Sequence, residues 1–174
     1  MNYADIKNCD VANGPGVRVT LFVSGCTHHC KGCFNPETWD FQYGQPFTQE
    51  SIDTILKALE PDYIKGFTLL GGEPFEPQNQ EAEVVLLRQI KQKYPEKSIW
   101  CFTGYLFDRD ILGVMKDRDP YAMEMLSYID VLVDGEFVEE QKDLSLKFRG
   151  SANQRQILVK ESLEQGTIVY WEGS

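Results

Sequence analysis

Short apolar runs recur along the chain, and each has the length and composition of a buried β-strand. The clearest is Val17–Ser24, which is rich in β-branched residues and ends at Gly25. Later runs of the same kind are Gly66–Leu70, Ser98–Phe102 and Ile129–Val133. Two weaker candidates near the end of the sequence are Gln156–Lys160 and Thr167–Trp171. The pattern predicts strands that are apolar throughout rather than alternating.

Amphipathic stretches between these runs predict helices. Thr48 is placed to cap a helix over Gln49–Leu59. Apolar residues recur at four-residue spacing over Asn79–Tyr94, and Pro95 ends that stretch. Tyr121–Tyr128 is a further candidate. Apolar strands that alternate with helices are typical of a parallel sheet covered by helices, so we expect an α/β fold.

A glycine or polar motif directly follows each of the clear strands. These motifs are Cys26–Cys33, Gly71–Pro74, Thr103–Tyr105 and Asp134-Gly135. The carboxyl ends of parallel strands meet at one edge of a sheet, where ligands bind in α/β proteins. We therefore expect the motifs to converge on one site.

Composition narrows the class of protein. The 174 residues, 42% of them hydrophobic, suffice for one domain over residues 1–174 with a sizeable core. The net charge of −10 argues against nonspecific binding to nucleic acid or to an anionic membrane. No apolar run approaches the roughly 18 residues that span a bilayer. The first residues also lack the features of a secretion signal.

The chain has five cysteines, and three of them fall within eight residues. An odd count without a secretion signal argues against a disulfide framework and favours a reducing cytosol. Cys9 and Cys101 stand alone and are expected to be small buried hydrophobes. The clustered thiols instead indicate a metal or redox site.

The clustered cysteines, Cys26, Cys30 and Cys33, have the spacing C-x₃-C-x₂-C. Thiolates suit iron–sulfur clusters and zinc. Three ligands on a four-iron cluster would leave one iron open to substrate. Alternatively, the three thiolates and either His28 or His29 would close a structural zinc site.

The cysteine motif, together with Gly71-Gly72-Glu73-Pro74, resembles the two signature motifs of the radical S-adenosylmethionine superfamily. Over roughly residues 1–155 the flanking sequence resembles the activating proteins of anaerobic ribonucleoside-triphosphate reductase. The stretches that carry this resemblance are Asn13–Arg18, Leu21–Cys26, Cys33–Asn35, Gly44–Thr48, Trp100–Tyr105, Val131–Phe137 and Arg149–Gln154. Residues 157–174 are then a C-terminal extension without an assigned role.

The resemblance implies a [4Fe–4S] cluster held by Cys26, Cys30 and Cys33, with S-adenosylmethionine as the second cofactor. Reductive cleavage of S-adenosylmethionine would yield methionine and a 5′-deoxyadenosyl radical. That radical would take a hydrogen atom from a glycine in the large subunit of the reductase. The other implied partners are a low-potential electron donor such as flavodoxin and, as an option, a second copy of the chain. No catalytic side chain is expected beyond the cluster and cofactor, and the expected location is the cytoplasm.

The same resemblance assigns a set of cofactor-binding residues. They are Gly32, Cys33, Phe34, Gly71, Gly72, Glu73, Thr103 and Asp134. A turn or capping role is an open alternative for Thr103 and Asp134. The implied fold is a partial, open (β/α) barrel with a mostly parallel sheet, because a closed eight-unit barrel needs about 250 residues.

Two alternative functions stay open. One is a radical S-adenosylmethionine enzyme that acts on another glycyl-radical enzyme or on a small metabolite, as deazapurine synthases do. The other is a zinc-binding interaction module.

Several residues near the motifs have ordinary alternatives. Arg18 is expected to form either an ion pair or a carboxylate clamp. We expect His28 and His29 to support the loop or face solvent rather than bind the cluster. Asn153 and Gln154 are expected to contact a partner or cap a turn.

Overall fold

The computed structural model describes residues 1–173, which build one open sheet with helices packed against it. The seven strands are β1 Asn2–Asp10, β2 Val17–Val23, β3 Gln45–Pro46, β4 Ile64–Gly71, β5 Ser98–Phe102, β6 Val131–Asp134 and β7 Arg155–Leu158. They lie in the order β3-β1-β2-β4-β5-β6-β7. The middle strands β2, β4, β5 and β6 run parallel, as predicted.

Antiparallel strands complete the sheet on both sides. β1 pairs with β2, β3 pairs with β1, and β7 pairs with β6, all antiparallel. The sheet is therefore mixed and does not close, which agrees with the expected open, mostly parallel sheet, although the antiparallel pairing at its two sides was not predicted. Strand β1 escaped prediction because it is mostly polar, and its register with β2 shifts after Tyr3 and again after Lys7.

The helices match the sequence prediction closely where they were predicted. They are α1 Gln49–Ala58, α2 Pro77–Lys93, α3 Lys116–Arg118, α4 Ala122–Tyr128 and α5 Val159–Gln165. Thr48 begins α1 as expected, with its backbone N–H donating to the Ser51 hydroxyl at 3.1 Å. The 3₁₀ turns Pro36–Trp39 and Glu139–Gln141 and a π-helical stretch, Phe107–Met115, were not predicted.

The prediction of a strand over Gln156–Lys160 is half wrong. Strand β7 ends at Leu158, and α5 begins at Val159 within the same apolar run. The predicted strand over Thr167–Trp171 is reduced to a single bridge between Ile157 and Tyr170.

Successive strand residues point to opposite sides of the sheet, and we name the two sides by what covers them. The helix face packs against α1, α2 and α4 in one apolar core. Its strand residues include Val19, Leu21, Phe67, Leu69, Ile99 and Leu132. The opposite side, the cavity face, carries a smaller cluster of buried residues, Trp100, Val131 and Val133. Among residues 1–173, no helix has both the length and the apolar character needed to cross a membrane.

Candidate functional site

A cavity of about 510 Å³ lies at the carboxyl ends of the parallel strands. Its lining includes Cys26 after β2, Gly72 after β4, Thr103 after β5 and Gly135 after β6. The predicted convergence of the four motifs on one site is therefore confirmed. Short strands that end together bring residues from distant parts of the chain within reach of one ligand.

All three clustered thiols line this cavity. Cys26 is buried, whereas Cys30 and Cys33 are half-buried. The loop is tied to the chain that follows it, since the Cys26 backbone N–H donates to the Trp39 carbonyl at 3.2 Å. The Cys33 backbone N–H donates to the Cys30 carbonyl at 3.1 Å, which makes a tight turn between these two thiols.

The site is unfavourable for thiolates that lack a compensating cation. Burial raises the pKa of the Cys26 thiol to about 12. Burial and the Glu136 carboxylate also raise the pKa of Cys30. The Asn35 backbone N–H donates to the Cys33 sulfur at 3.4 Å. A bound cation deprotonates a coordinating thiol outright, so iron would supply the charge that these thiols need.

The three thiols do not form a site for a single metal ion. Within residues 1–173, no three His, Cys, Asp or Glu side chains converge closely enough to hold one. A four-iron cluster binds each of its protein ligands through a separate iron atom, so its three thiolates need not converge on one ion. Neither histidine joins the thiols: His28 pairs with carboxylates, and His29 stacks on Trp39 with ring centroids 4.4 Å apart.

The Glu73 carboxylate connects the motifs at the cavity. It is 1% exposed and accepts hydrogen bonds from the Thr103 hydroxyl at 2.7 Å and the Gly104 backbone N–H at 2.6 Å. The Phe75 backbone N–H donates to it at 2.7 Å, and His28 Nε2 lies 2.8 Å away. All of these partners belong to the protein, so the side chain connects three segments of the cavity wall, and Glu73 itself lines the cavity.

His28 holds the cysteine loop against the sheet. Its second ring nitrogen, Nδ1, lies 2.9 Å from a Glu136 oxygen, so the imidazole sits between two carboxylates. Burial alone would lower the pKa of His28, but its hydrogen bonds and the charges of Glu73 and Glu136 outweigh burial and raise the pKa to about 9. The ring also packs edge-on against Tyr105, with centroids 4.5 Å apart. The expectation that this histidine supports the loop is confirmed.

Two glycines before Glu73 allow two backbones to touch. A Cβ on Gly71, whose φ is +124°, would lie 2.3 Å from the Val23 nitrogen. A Cβ on Gly72 would lie 2.6 Å from the Gly25 carbonyl oxygen. The glycines thus bring the end of β4 against the start of the cysteine loop, and both line the cavity. Because glycine has no side chain, a ligand in the cavity would contact the backbone atoms of these two residues directly.

The other predicted cofactor residues divide into two groups. Phe34 and Thr103 line the cavity, and Phe34 is 59% exposed at its rim. Gly32 and Asp134 are not among the lining residues, so the structure does not bring them to the cavity with the rest. Asp134 is fully buried and accepts from Arg155 Nη2 at 2.6 Å, because strand alternation turns its side chain to the helix face.

Sequence reasoning missed Trp39 as a cavity residue. The indole ring lines the cavity, and its Nε1 is buried without a hydrogen-bond partner in the described chain. A bound group that carries acceptor atoms would suit this donor. Its position five residues after Phe34, within the short turn that follows the cysteines, was the only available signal.

Arg18 follows neither of the two roles that were expected of it. The guanidinium is fully buried, and all five of its N–H groups donate to carbonyl or hydroxyl oxygens at 2.9–3.1 Å. These acceptors are Thr68 Oγ1, Pro15 O, Phe67 O and both Ser98 oxygens. Burial lowers the pKa of Arg18 to about 10, so it stays charged at neutral pH. It joins β2, β4 and β5 to the segment before β2.

Asn153 and Gln154 tie down the loop that follows β6. The Asn153 side-chain amide donates to the Glu136 carbonyl at 2.8 Å, and that of Gln154 donates to the Gly135 carbonyl at 3.0 Å. Of the two expected roles, the structure supports the turn-capping one.

Comparison with known proteins agrees with this chemistry. A family model described as a 4Fe-4S single cluster domain matches residues 12–157. A protein of Vibrio cholerae named anaerobic ribonucleoside-triphosphate reductase-activating protein is 46% identical over 156 residues, which is 88% of this chain and 96% of that protein. Proteins with the same name from Enterobacteria phage T4 and Escherichia coli K12 are 45% and 44% identical. They cover 89% and 88% of this chain, and 92% and 96% of their own lengths.

Proposed function

The chain belongs to the family of anaerobic ribonucleoside-triphosphate reductase-activating proteins, and from this we propose that it activates such a reductase by generating a glycyl radical on it. The observation that carries the proposal is that three cysteines with C-x₃-C-x₂-C spacing line the same cavity as the Gly71-Gly72 turn. The chain is an enzyme that uses a [4Fe–4S] cluster and S-adenosylmethionine.

Cys26, Cys30 and Cys33 would hold the cluster, which leaves one iron without a protein ligand. When bound, the reduced cluster supplies the electron that cleaves S-adenosylmethionine and so starts hydrogen-atom abstraction from the glycine. The protein's task is to place these groups and exclude water. The backbone of Glu73 and Gly72 stays close to the thiols because Glu73 N–H donates to the Gly25 carbonyl at 2.8 Å.

We infer that S-adenosylmethionine lies along the wall formed by Gly71, Gly72 and Thr103, with Phe34 at the rim. The backbone carbonyls of the glycine turn are suitable acceptors for an amino group. Glu73 would act indirectly, by holding Thr103 and Gly104 at this wall. Gly32 and Asp134 would shape the flanking loops without touching the cofactor.

The substrate we propose is a glycine in the large subunit of an anaerobic ribonucleoside-triphosphate reductase. The support is the activity that the relatives' name states. The proposal also includes a low-potential electron donor such as flavodoxin and a cytoplasmic location. A homodimer is compatible with it. All three rest on the resemblance. The net charge of −10 supports a target that is neither nucleic acid nor an anionic membrane.

We further infer that the open sheet is an incomplete barrel of the radical S-adenosylmethionine type. Its support is the placement of the cavity at the carboxyl ends of β2, β4, β5 and β6, with helices confined to the other side of the sheet. A sheet that does not close leaves the cavity accessible to a protein substrate.

The proposal is tested by anaerobic incubation of the iron-loaded protein with reductant, S-adenosylmethionine and the reductase. We expect a glycyl doublet in the electron paramagnetic resonance spectrum of the reductase, formed together with methionine. The Cys30→Ala protein is the matched control and should give no doublet. A doublet on a different glycyl-radical enzyme and none on the reductase would contradict the assigned substrate. The absence of cleavage from a protein with full iron content would contradict the reaction itself.

A further inference from the structure

The C-terminal segment beyond β7 returns to the sheet and reaches its cavity face. Residues 158–173 lie outside the matched 4Fe-4S domain. After α5 the chain pairs with β7: Leu158 N–H donates to the Val169 carbonyl, and Trp171 N–H donates to the Gln156 carbonyl, both at 2.8 Å. This short pairing fixes the backbone from which the Trp171 side chain projects.

The Trp171 indole packs on the aromatic cluster of the cavity face. Its ring centroid lies 4.9 Å from that of Trp100 at an interplanar angle of 82°, and 6.0 Å from that of Phe148. The backbone then turns back over the indole, because a Cβ on Gly173 would lie 2.7 Å from the ring. Edge-on contacts of this kind are favourable and directional, so they hold a ring in one orientation.

Phe148 connects this packing to the cavity. It ends the exposed part of a loop, residues 143–150, of which Asp143, Leu144 and Leu146 also line the cavity. We call residues 143–150 the cavity loop. Phe148 has φ +57°, a left-handed conformation that a residue with a bulky side chain keeps only when its surroundings hold it there.

Few contacts hold Phe148 in that conformation. Its ring packs edge-on against Trp100, with centroids 5.6 Å apart, and at a tilt of 54° against Trp171. Gln156 Nε2 donates to the carbonyl of Lys147, directly before it, at 2.6 Å. Leu144, at the tip of the loop, is 88% exposed and contributes little packing. Trp171 is therefore one of several side chains that restrain the outer wall of the cavity. Near the end of the loop, Arg149 Nη1 donates to the Gln154 carbonyl at 2.7 Å, and the Gly150 N–H donates to Gln154 Oε1 at 2.8 Å.

We propose that Trp171 is a positioning residue, and that the C-terminal segment holds the cavity loop in the conformation that binds the nucleoside-containing cofactor. The C-terminal segment thus supports one wall of the cavity, a role that further strands would have in a closed barrel. The identity of the cofactor rests on the proposed function, whereas the restraint on the loop does not.

Hydrogen–deuterium exchange of the iron-free full-length chain tests the restraint directly. For Trp171→Ala we expect backbone amides of residues 143–150 to exchange at least tenfold faster, with α2 and the cysteine loop unchanged. Tyr170→Ala is the matched control, because its side chain is 53% exposed and adjacent in sequence. It should exchange like the unchanged protein. Trp171→Phe keeps an aromatic ring and should restore most of the protection.

Binding of S-adenosylmethionine to the iron-loaded protein tests the consequence. Trp171→Ala should weaken binding about tenfold and raise KM with little change in kcat, while iron content stays full. Unchanged exchange of the cavity loop in a folded Trp171→Ala protein would overturn the proposal. Uniformly faster exchange across the chain in both Trp171→Ala and Trp171→Phe would also overturn it, because it would indicate a general loss of stability. If the unchanged protein bound no S-adenosylmethionine, the proposed function would fail, and the exchange data would still decide the restraint.

Discussion

On the helix face of the sheet, the strand residues that meet the helices are almost all aliphatic, and the core they form is continuous. On the cavity face the same strands carry Arg18, Thr20, Thr68 and Ser98 at one end, and aromatic residues around Trp100 further along. Burial of apolar surface stabilises the first face at about 25 cal/mol per Å². The cavity face buries less apolar surface, because it contains the Arg18 guanidinium, the cavity and the cysteine loop.

Two buried carboxylates show the same contrast. Glu73, at the cavity, has four protein partners for its two oxygens. Glu83, on α2 in the core, is fully buried, and neither of its oxygens has a partner in the described chain. Of these two carboxylates, only Glu73 connects loops. The core tolerates the other one as a neutral acid, since burial raises the pKa of Glu83 well above its ordinary value.

The largest difference between the two regions is expected when one cysteine in each is replaced by alanine and the iron content is compared. Cys30→Ala should abolish assembly of the iron–sulfur cluster and with it all cleavage of S-adenosylmethionine. Cys101→Ala removes a buried thiol on the helix face and should retain full iron and sulfide content. Iron and sulfide analysis after anaerobic reconstitution measures both. Normal cleavage by Cys30→Ala, or stoichiometric loss of iron from Cys101→Ala, would break the division between the faces.

The helix-face core should dominate global stability. Leu87 on α2 is fully buried in that core, so Leu87→Ala should lower the free energy of unfolding by about 3–4 kcal/mol through lost burial and the cavity it leaves. Urea denaturation of the iron-free protein measures the change. The surface leucine Leu144 is the matched control, and Leu144→Ala should cost less than about 0.5 kcal/mol. Equal losses from the two substitutions would contradict the assigned core.

Glu83 should make stability depend on pH. Its raised pKa in the folded chain means that, above about pH 4.5, the unfolded chain releases a proton that the folded chain keeps. Stability should therefore fall as pH rises, by up to about 1.4 kcal/mol per pH unit, until the folded pKa is passed. Glu83→Gln should remove this component, which denaturation from pH 5 to pH 8 would measure. Parallel pH curves for the two proteins would show that the carboxyl is not buried in its neutral form.

The smallest effect on stability is expected from the buried cation of the cavity face. Arg18→Met leaves the carbonyls of Pro15, Phe67 and Ser98 without donors, but it also relieves the burial of a charge. These effects oppose each other, and we expect a net loss of about 2 kcal/mol. Arg88→Met breaks a half-exposed ion pair with Glu124 and should lower stability less than Arg18→Met does. A stabilising Arg18→Met would mean that the cavity face bears a larger penalty for this charge than its hydrogen bonds return.

The sequence predicted the helix face well because apolar runs report burial directly. Strands β2, β4 and β5 were found to within a few residues, and so were α1 and α2. Strand β1 was missed because it is mostly polar, so its place in the sheet depends on pairing with β2. The hydrogen-bond partners of Arg18 were not predictable, since a single polar residue inside an apolar strand does not show which groups will surround it.

At the site, the order of motifs along the chain was enough to predict their convergence. The role of Glu73 was not predictable, because its four partners come from three different loops that only the fold brings together. Asp134 and Gly32 were assigned to the cofactor by resemblance, and neither lines the cavity. The packing of Trp171 against Trp100 joins residues 71 positions apart, beyond the reach of any local pattern.

Both edges of the open sheet carry features that hinder strand pairing with another molecule. On one side, the segment after α5 occupies backbone groups of β7 that would otherwise be free to pair with a second molecule. On the other side, β3 covers only Asn2 and Tyr3 of the nine-residue strand β1. Asp5 and Lys7 place charges along the rest of that edge, and charged edges oppose intermolecular strand pairing. The net charge of −10 adds a general repulsion between molecules, so resistance to aggregation is one role the acidic composition fulfils.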